Sequence, residues 1–175
     1  SENVYKFVIK APAIARSRKA GHFVIIRVDK HGERIPLTIA EADTAKGTIT
    51  LVVQRVGVSS DKLCAMNIGD CLADVVGPLG KPTHIAKFGT VICAGGGVGV
   101  APMLPIATAL KAAGNRVVTV LAGRTKELII LEKEMRAISD ELVIMTDDGS
   151  YGNKGLRTEG LENIIQQEKI DKCFV

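Results

Sequence analysis

Residues 94–102 read AGGGVGVAP, set between an apolar run, TVIC at 90–93, and a long apolar segment that begins at Val100. Gly95, Gly96, Gly97 and Gly99, with Val98 among them, place four glycines in five positions. Without Cβ atoms, their backbone N–H groups can approach an anion closely. The first turn of a following helix adds N–H groups that have no partner within the helix, together with a favourable dipole. Pro102 fits such a first turn, where it costs no hydrogen bond. A bare connection between strand and helix would need none of these glycines, so the stretch is read as a phosphate-binding loop.

On the carboxyl side of the loop, apolar strands at 90–94, 116–121, 142–145 and 173–175 alternate with helices at 100–113, 126–138 and 158–167. That alternation predicts a parallel sheet of the Rossmann-like kind. Ligands bind beyond the carboxyl ends of such strands, which points to Arg124 after the second strand and to Asp147 and Asp148 after the third. A dinucleotide site commonly has an acid at the end of the second strand to hold a ribose hydroxyl. Arg124 stands there instead, either accepting a 2'-phosphate or lying free in a solvated loop. The run TDDGSYGNKG at 146–155 likewise reads as ligand contacts or as an Asx-rich turn.

On the amino side, short strands at 4–10, 23–29, 35–40, 48–54 and 70–76 are separated by glycine turns and interrupted by one short helix at 60–66. This pattern predicts a small antiparallel barrel. The expected fold class is therefore β + α/β, a barrel domain at 1–87 followed by a nucleotide-binding domain at 88–175.

Composition narrows the function classes. At 175 residues and 46% apolar content the chain can bury two small cores, and with no apolar run long enough to span a bilayer it is expected to be soluble and cytoplasmic. Cys64, Cys71, Cys93 and Cys173 form no C-x-x-C pair, so no metal ligand is named. A net charge of +4 and 3% aromatics give nucleic-acid binding little support. His22, His31 and His84 are isolated, and no acid–base constellation is evident.

The barrel-then-βαβ order, taken with this loop, resembles the ferredoxin-NADP reductase superfamily over essentially the whole chain. Within it, the likeness is to the family of dihydroorotate dehydrogenase electron-transfer subunits and the small subunit of NADH-dependent reduced ferredoxin:NADP oxidoreductase. ERIPLTIA at 33–40 is similar to the flavin strand of that superfamily. The resemblance implies FAD contacts from Arg34, Pro36, Leu37 and Thr38, with the Thr38 hydroxyl at the flavin N5 edge. Two departures stand out: Ile35 occupies the usual Arg position, with Arg34 one residue early, and Leu37 replaces a stacking Tyr. QRVGVSSDKL at 54–63 resembles the pyrophosphate-binding segment, which implies contacts from Gln54, Val56, Gly57, Ser59 and Ser60; by itself it is also an ordinary helix cap. GPLGKPT at 77–83 is similar to the barrel-closing loop, with Gly77, Pro78 and Gly80 structural.

The resemblance implies an FAD-dependent oxidoreductase that takes hydride from NAD(H) or NADP(H) through Gly95–Gly99 and passes electrons to a larger catalytic subunit. A stand-alone NAD(P)H:acceptor reductase and a non-redox nucleotide-binding module are the alternatives. Relatives carry a [2Fe-2S] segment beyond the fourth parallel strand. These 175 residues end in that strand, so the cluster is expected only outside them, and the chain is expected to be a fragment.

Overall fold

The structure, a computed structural model, describes residues 3–175. The chain divides into two compact units between Thr83 and His84.

The first unit is built from β1 (Val4–Lys10), α1 (Pro12–Ser17), β2 (Phe23–Arg27), β3 (Ile35–Asp43), β4 (Thr48–Gln54), α2 (Val58–Cys64) and β5 (Asp74–Leu79). Its strands form one antiparallel sheet in the order β1-β4-β3-β2-β5. Alternation along these strands turns Val24, Ile26, Ile39, Ile49 and Leu51 into the core, all at most 1% exposed. Phe7 and Ile9 of β1 and Val75 of β5 pack on that same cluster. The sheet therefore curls round one core, although no ladder joins β1 to β5 among the described residues.

Three local expectations change. A second helix, α1, appears where only one was expected: Pro12 suits a first turn, and Ile14 and Ala15 are buried in the core. The strand expected at 70–76 begins instead at Asp74, because residues 67–70 close a turn in which the Asn67 N–H donates to Asp70 Oδ2 at 2.7 Å. The helix expected at 60–66 spans Val58–Cys64.

The second unit contains β6 (Thr90–Gly96), α3 (Val100–Ala112), β7 (Arg116–Gly123), α4 (Glu132–Ile138), β8 (Glu141–Thr146), β9 (Asn153–Lys154), α5 (Arg157–Gln167) and β10 (Lys172–Phe174). All its strands are parallel, in the order β10-β6-β7-β8-β9. Residues of α3 and α4 cover one face of the sheet, and Ile164 of α5 belongs to a separate core on the other. Both faces are thus buried, which is why Val91–Ala94 and Val117–Ala122 run without a polar break other than Thr119. The single helix expected at 126–138 is split. A short 3-10 turn spans Lys126–Leu128, and α4 starts only after Leu131, whose φ of 55° interrupts helical geometry.

Local ties explain where the units part. The Thr83 N–H donates to the Ala20 carbonyl at 2.9 Å, inside the antiparallel unit. Ile85 and Phe88 already pack on the α/β core. The side chain of Asn115, 3% exposed, then holds the entry to β6: its carbonyl accepts from the Phe88 and Gly89 N–H groups, and its amide donates to Ala86 and Leu110 carbonyls.

Candidate functional site

The strand order fixes where a ligand belongs in the second unit. From β6 the chain steps to β7 on one side and, three crossovers later, to β10 on the other, so the topological switch point lies at the carboxyl end of β6. Gly95–Gly99 sits at that point. Gly95 and Gly96 finish the strand, Gly97–Gly99 form one 3-10 turn, and α3 follows at Val100.

The loop's glycines serve two different needs. A Cβ on Gly95 would come within 3.0 Å of Val100 Cα and 3.2 Å of the Gly99 carbonyl oxygen, so this glycine lets α3 start hard against the strand. Gly97, at φ +52°, and Gly99 have no atom beyond their own stretch of backbone within 4 Å of the place a Cβ would take. Packing does not require a glycine at Gly99, whose φ of −64° any residue adopts. The space above Gly97 and Gly99 is open, beside the first helical N–H groups, and it suits a phosphate.

The neighbouring loops converge on the same edge. Asp147 N–H donates to the Gly123 carbonyl at 3.1 Å and Asp148 N–H to the Arg124 carbonyl at 3.2 Å, which ties the β8 loop to the β7 loop. Arg124 is exposed, with no side-chain partner among the described residues. Asp148 is committed to its own turn: its Oδ1 accepts from the Ser150 N–H at 2.9 Å and hydroxyl at 2.6 Å, and these bonds hold its carboxyl below the ordinary range. Ser150 in turn accepts from the Lys126 N–H. Asp147 is exposed beside it.

One residue at this edge was not anticipated from the sequence. Arg157, the first residue of α5, places Nη1 3.9 Å from where a Cβ on Gly96 would stand. Its position follows from topology, because every helix of a parallel βαβ series starts at the carboxyl edge of the sheet. Gly160 permits the close seat of α5, since a Cβ there would come within 2.9 Å of Met145 Cγ.

In the antiparallel unit, the pairs Phe23–Thr38 and Ile25–Pro36 share one face of the sheet, and Val24–Leu37 share the other. Val24 is fully buried and Leu37 packs on the core, so Leu37 turns away from the face that Pro36 and Thr38 present. The Thr38 hydroxyl has no partner among the described residues. Arg34 pairs with Asp74 at 3.1 Å, a carboxylate that also takes Arg27 at 2.7 Å.

At the start of α2, the Ser60 hydroxyl accepts from the Val56 and Gly57 N–H groups at 2.9 and 3.0 Å and donates to the Gly57 carbonyl at 2.8 Å. These three groups are taken up by the cap. The Ser59 hydroxyl donates to Glu33 Oε2 at 3.0 Å, beside a cleft of about 240 Å³ that Glu33, Val58, Ser59 and Lys62 help to line. Gln54 ends β4 opposite Val4, half-buried, and Val56 is 78% exposed.

No group of three or more His, Cys, Asp or Glu side chains placed to hold a metal ion is found among the described residues. The four cysteines are free, and burial pushes the Cys93 thiol up to about 12. No described helix is long and apolar enough to cross a membrane.

An antiparallel sheet curled round one core, followed by a parallel sheet with a glycine loop at its switch point, is the fold of the ferredoxin-reductase-like flavoproteins. A solved structure described as the NADH-dependent reduced ferredoxin-NADP oxidoreductase, reported for its insights into flavin-based electron bifurcation, matches at a TM-score of 0.93 and 43% identity, over 99% of this chain and 62% of that one. The chain is similar to electron-transfer subunits of dihydroorotate dehydrogenase B. It is 44% identical to the Thermotoga maritima "dihydroorotate dehydrogenase B (NAD(+)), electron transfer subunit homolog" over 99% of its own length and 61% of the relative's. It is 31% identical to the Bacillus cereus subunit, over 93% of its length and 64% of that protein's. The chain thus spans somewhat less than two thirds of these relatives. No protein-family model matches it.

Proposed function

We propose that the chain is the flavin-carrying, pyridine-nucleotide-binding part of an electron-transfer subunit. In this reading hydride from NADH or NADPH is accepted by FAD, and the electrons go on to an iron-sulfur centre or a larger partner subunit. The observation that carries it is the open glycine loop at the switch point of a chain 44% identical to an NAD(+)-linked electron-transfer subunit homologue.

The residues present fit both groups. Gly97, Val98 and Gly99 offer first-turn N–H groups to the nucleotide's diphosphate, with open space in front of them. Arg124 and Asp147 border the crevice where the adenosine ribose belongs. On the antiparallel unit, Pro36, Ile25 and Phe23 supply an apolar wall and Thr38 a free hydroxyl, suited to an aromatic ring with a polar edge. Gly57, Ser59 and Ser60 mark the segment assigned to the FAD pyrophosphate. There the Ser60 hydroxyl shapes the turn and does not itself reach a ligand. Arg34 would reach the pyrophosphate only by leaving Asp74.

FAD, when bound, accepts electrons in a pair and releases them singly. The chain's own work is binding and orientation, and no side chain is asked to move a proton. Incubating the purified chain with FAD and removing the excess tests the assignment. A retained yellow chromophore is expected, and protein that stays colourless overturns it.

A further inference from the structure

Arg157 brings a cation to the glycine loop from below. Its guanidinium lies against Gly96, the last residue of β6, and comes from the opposite face of the sheet to α3. Arg157 is half-buried and has no hydrogen bond or ion pair among the described residues. The nearest acid along α5, Glu159, turns its carboxylate back over Gly155. A guanidinium with free donors thus stands at the end of β6, beside the glycine loop in which Gly97 and Gly99 border open space.

Building on the nucleotide reading above, we infer that Arg157 is a second clamp on the dinucleotide's diphosphate. Backbone N–H groups of the α3 turn hold it from one side and the Arg157 fork from the other. Arg124, one strand over at the end of β7, is placed for the ribose, so the two arginines divide the ligand between them. Arg157 serves NADH and NADPH alike, because both carry the diphosphate. Charge-assisted bonds of this kind are worth about tenfold in affinity or more.

Calorimetric titration of the full chain with ADP-ribose, NADH and NADPH reads this directly, at two salt concentrations. Arg157→Ala is expected to weaken all three by a common factor of about ten and to flatten the salt dependence. Arg157→Lys should recover part of the affinity, with thermal unfolding of both variants unchanged. Wild-type affinity for ADP-ribose in Arg157→Ala overturns the clamp, as does a loss confined to NADPH, which would make Arg157 a reader of the 2'-phosphate. Wild-type protein that binds none of the three overturns the nucleotide reading itself, and the clamp with it.

Discussion

Gly95 and Gly99 stand four residues apart and do different things, and substitution separates them. A methyl on Gly95 meets backbone at 3.0 and 3.2 Å, so Gly95→Ala must push α3 off the strand end. It should cost about 1–3 kcal/mol, as overpacking does. Gly99 is already helical at φ −64° with open space around it, so Gly99→Ala should unfold at the wild-type temperature or slightly above. Its methyl nevertheless enters the phosphate position, and ADP-ribose binding should fall at least tenfold. Thermal unfolding read beside a binding titration checks both. A Gly99→Ala protein that binds normally would show that the open space is not the anion site. The glycines were legible in the sequence because spacing between a strand and a helix is a local signal. Arg157 was not, since nothing around LRTEG says which strand end its helix begins beside. The orientation of Leu37 is hidden for a related reason: the register Val24–Leu37, which turns it to the core, is a property of two strands.

The elements were mostly readable from periodicity, and the exceptions have local causes. β1 and β4 fall where alternation and turn glycines set them. α1 escaped notice because six residues give less than two turns of periodicity, so only burial of Ile14 and Ala15 against the sheet makes it a helix. The break before α4 is set by the positive φ of Leu131, for which no residue preference gives warning. β9, two residues long, exists only by pairing with β8. One side chain, Asn115, ties the connection between Ile85 and β6 to α3, with three hydrogen bonds to the connection and one to the Leu110 carbonyl. Asn115→Ala leaves two N–H groups and two carbonyls without that partner and should destabilise the α/β unit by about 3 kcal/mol. Denaturant unfolding measures it, and a loss below about 1 kcal/mol would mean that water or neighbouring groups replace the amide.

At the scale of the molecule, each unit has its own core and its own share of the proposed chemistry. The antiparallel unit presents Pro36 and Thr38 on one sheet face, and the parallel unit gathers Gly95–Gly99, Arg124, Asp147 and Arg157 at one sheet edge. The order of the two folds was legible because strand grammar changes from alternating to continuously apolar after residue 88, and that order distinguishes a flavin-linked nucleotide domain from any other phosphate-binding loop. The proposed function requires hydride to pass from a nucleotide held by one unit to a flavin held by the other. Anaerobic mixing of the FAD-loaded chain with NADH, and separately with NADPH, tests this most directly. Bleaching of the visible flavin band by at least one of them is the predicted result; a flavin band unchanged by both would contradict it.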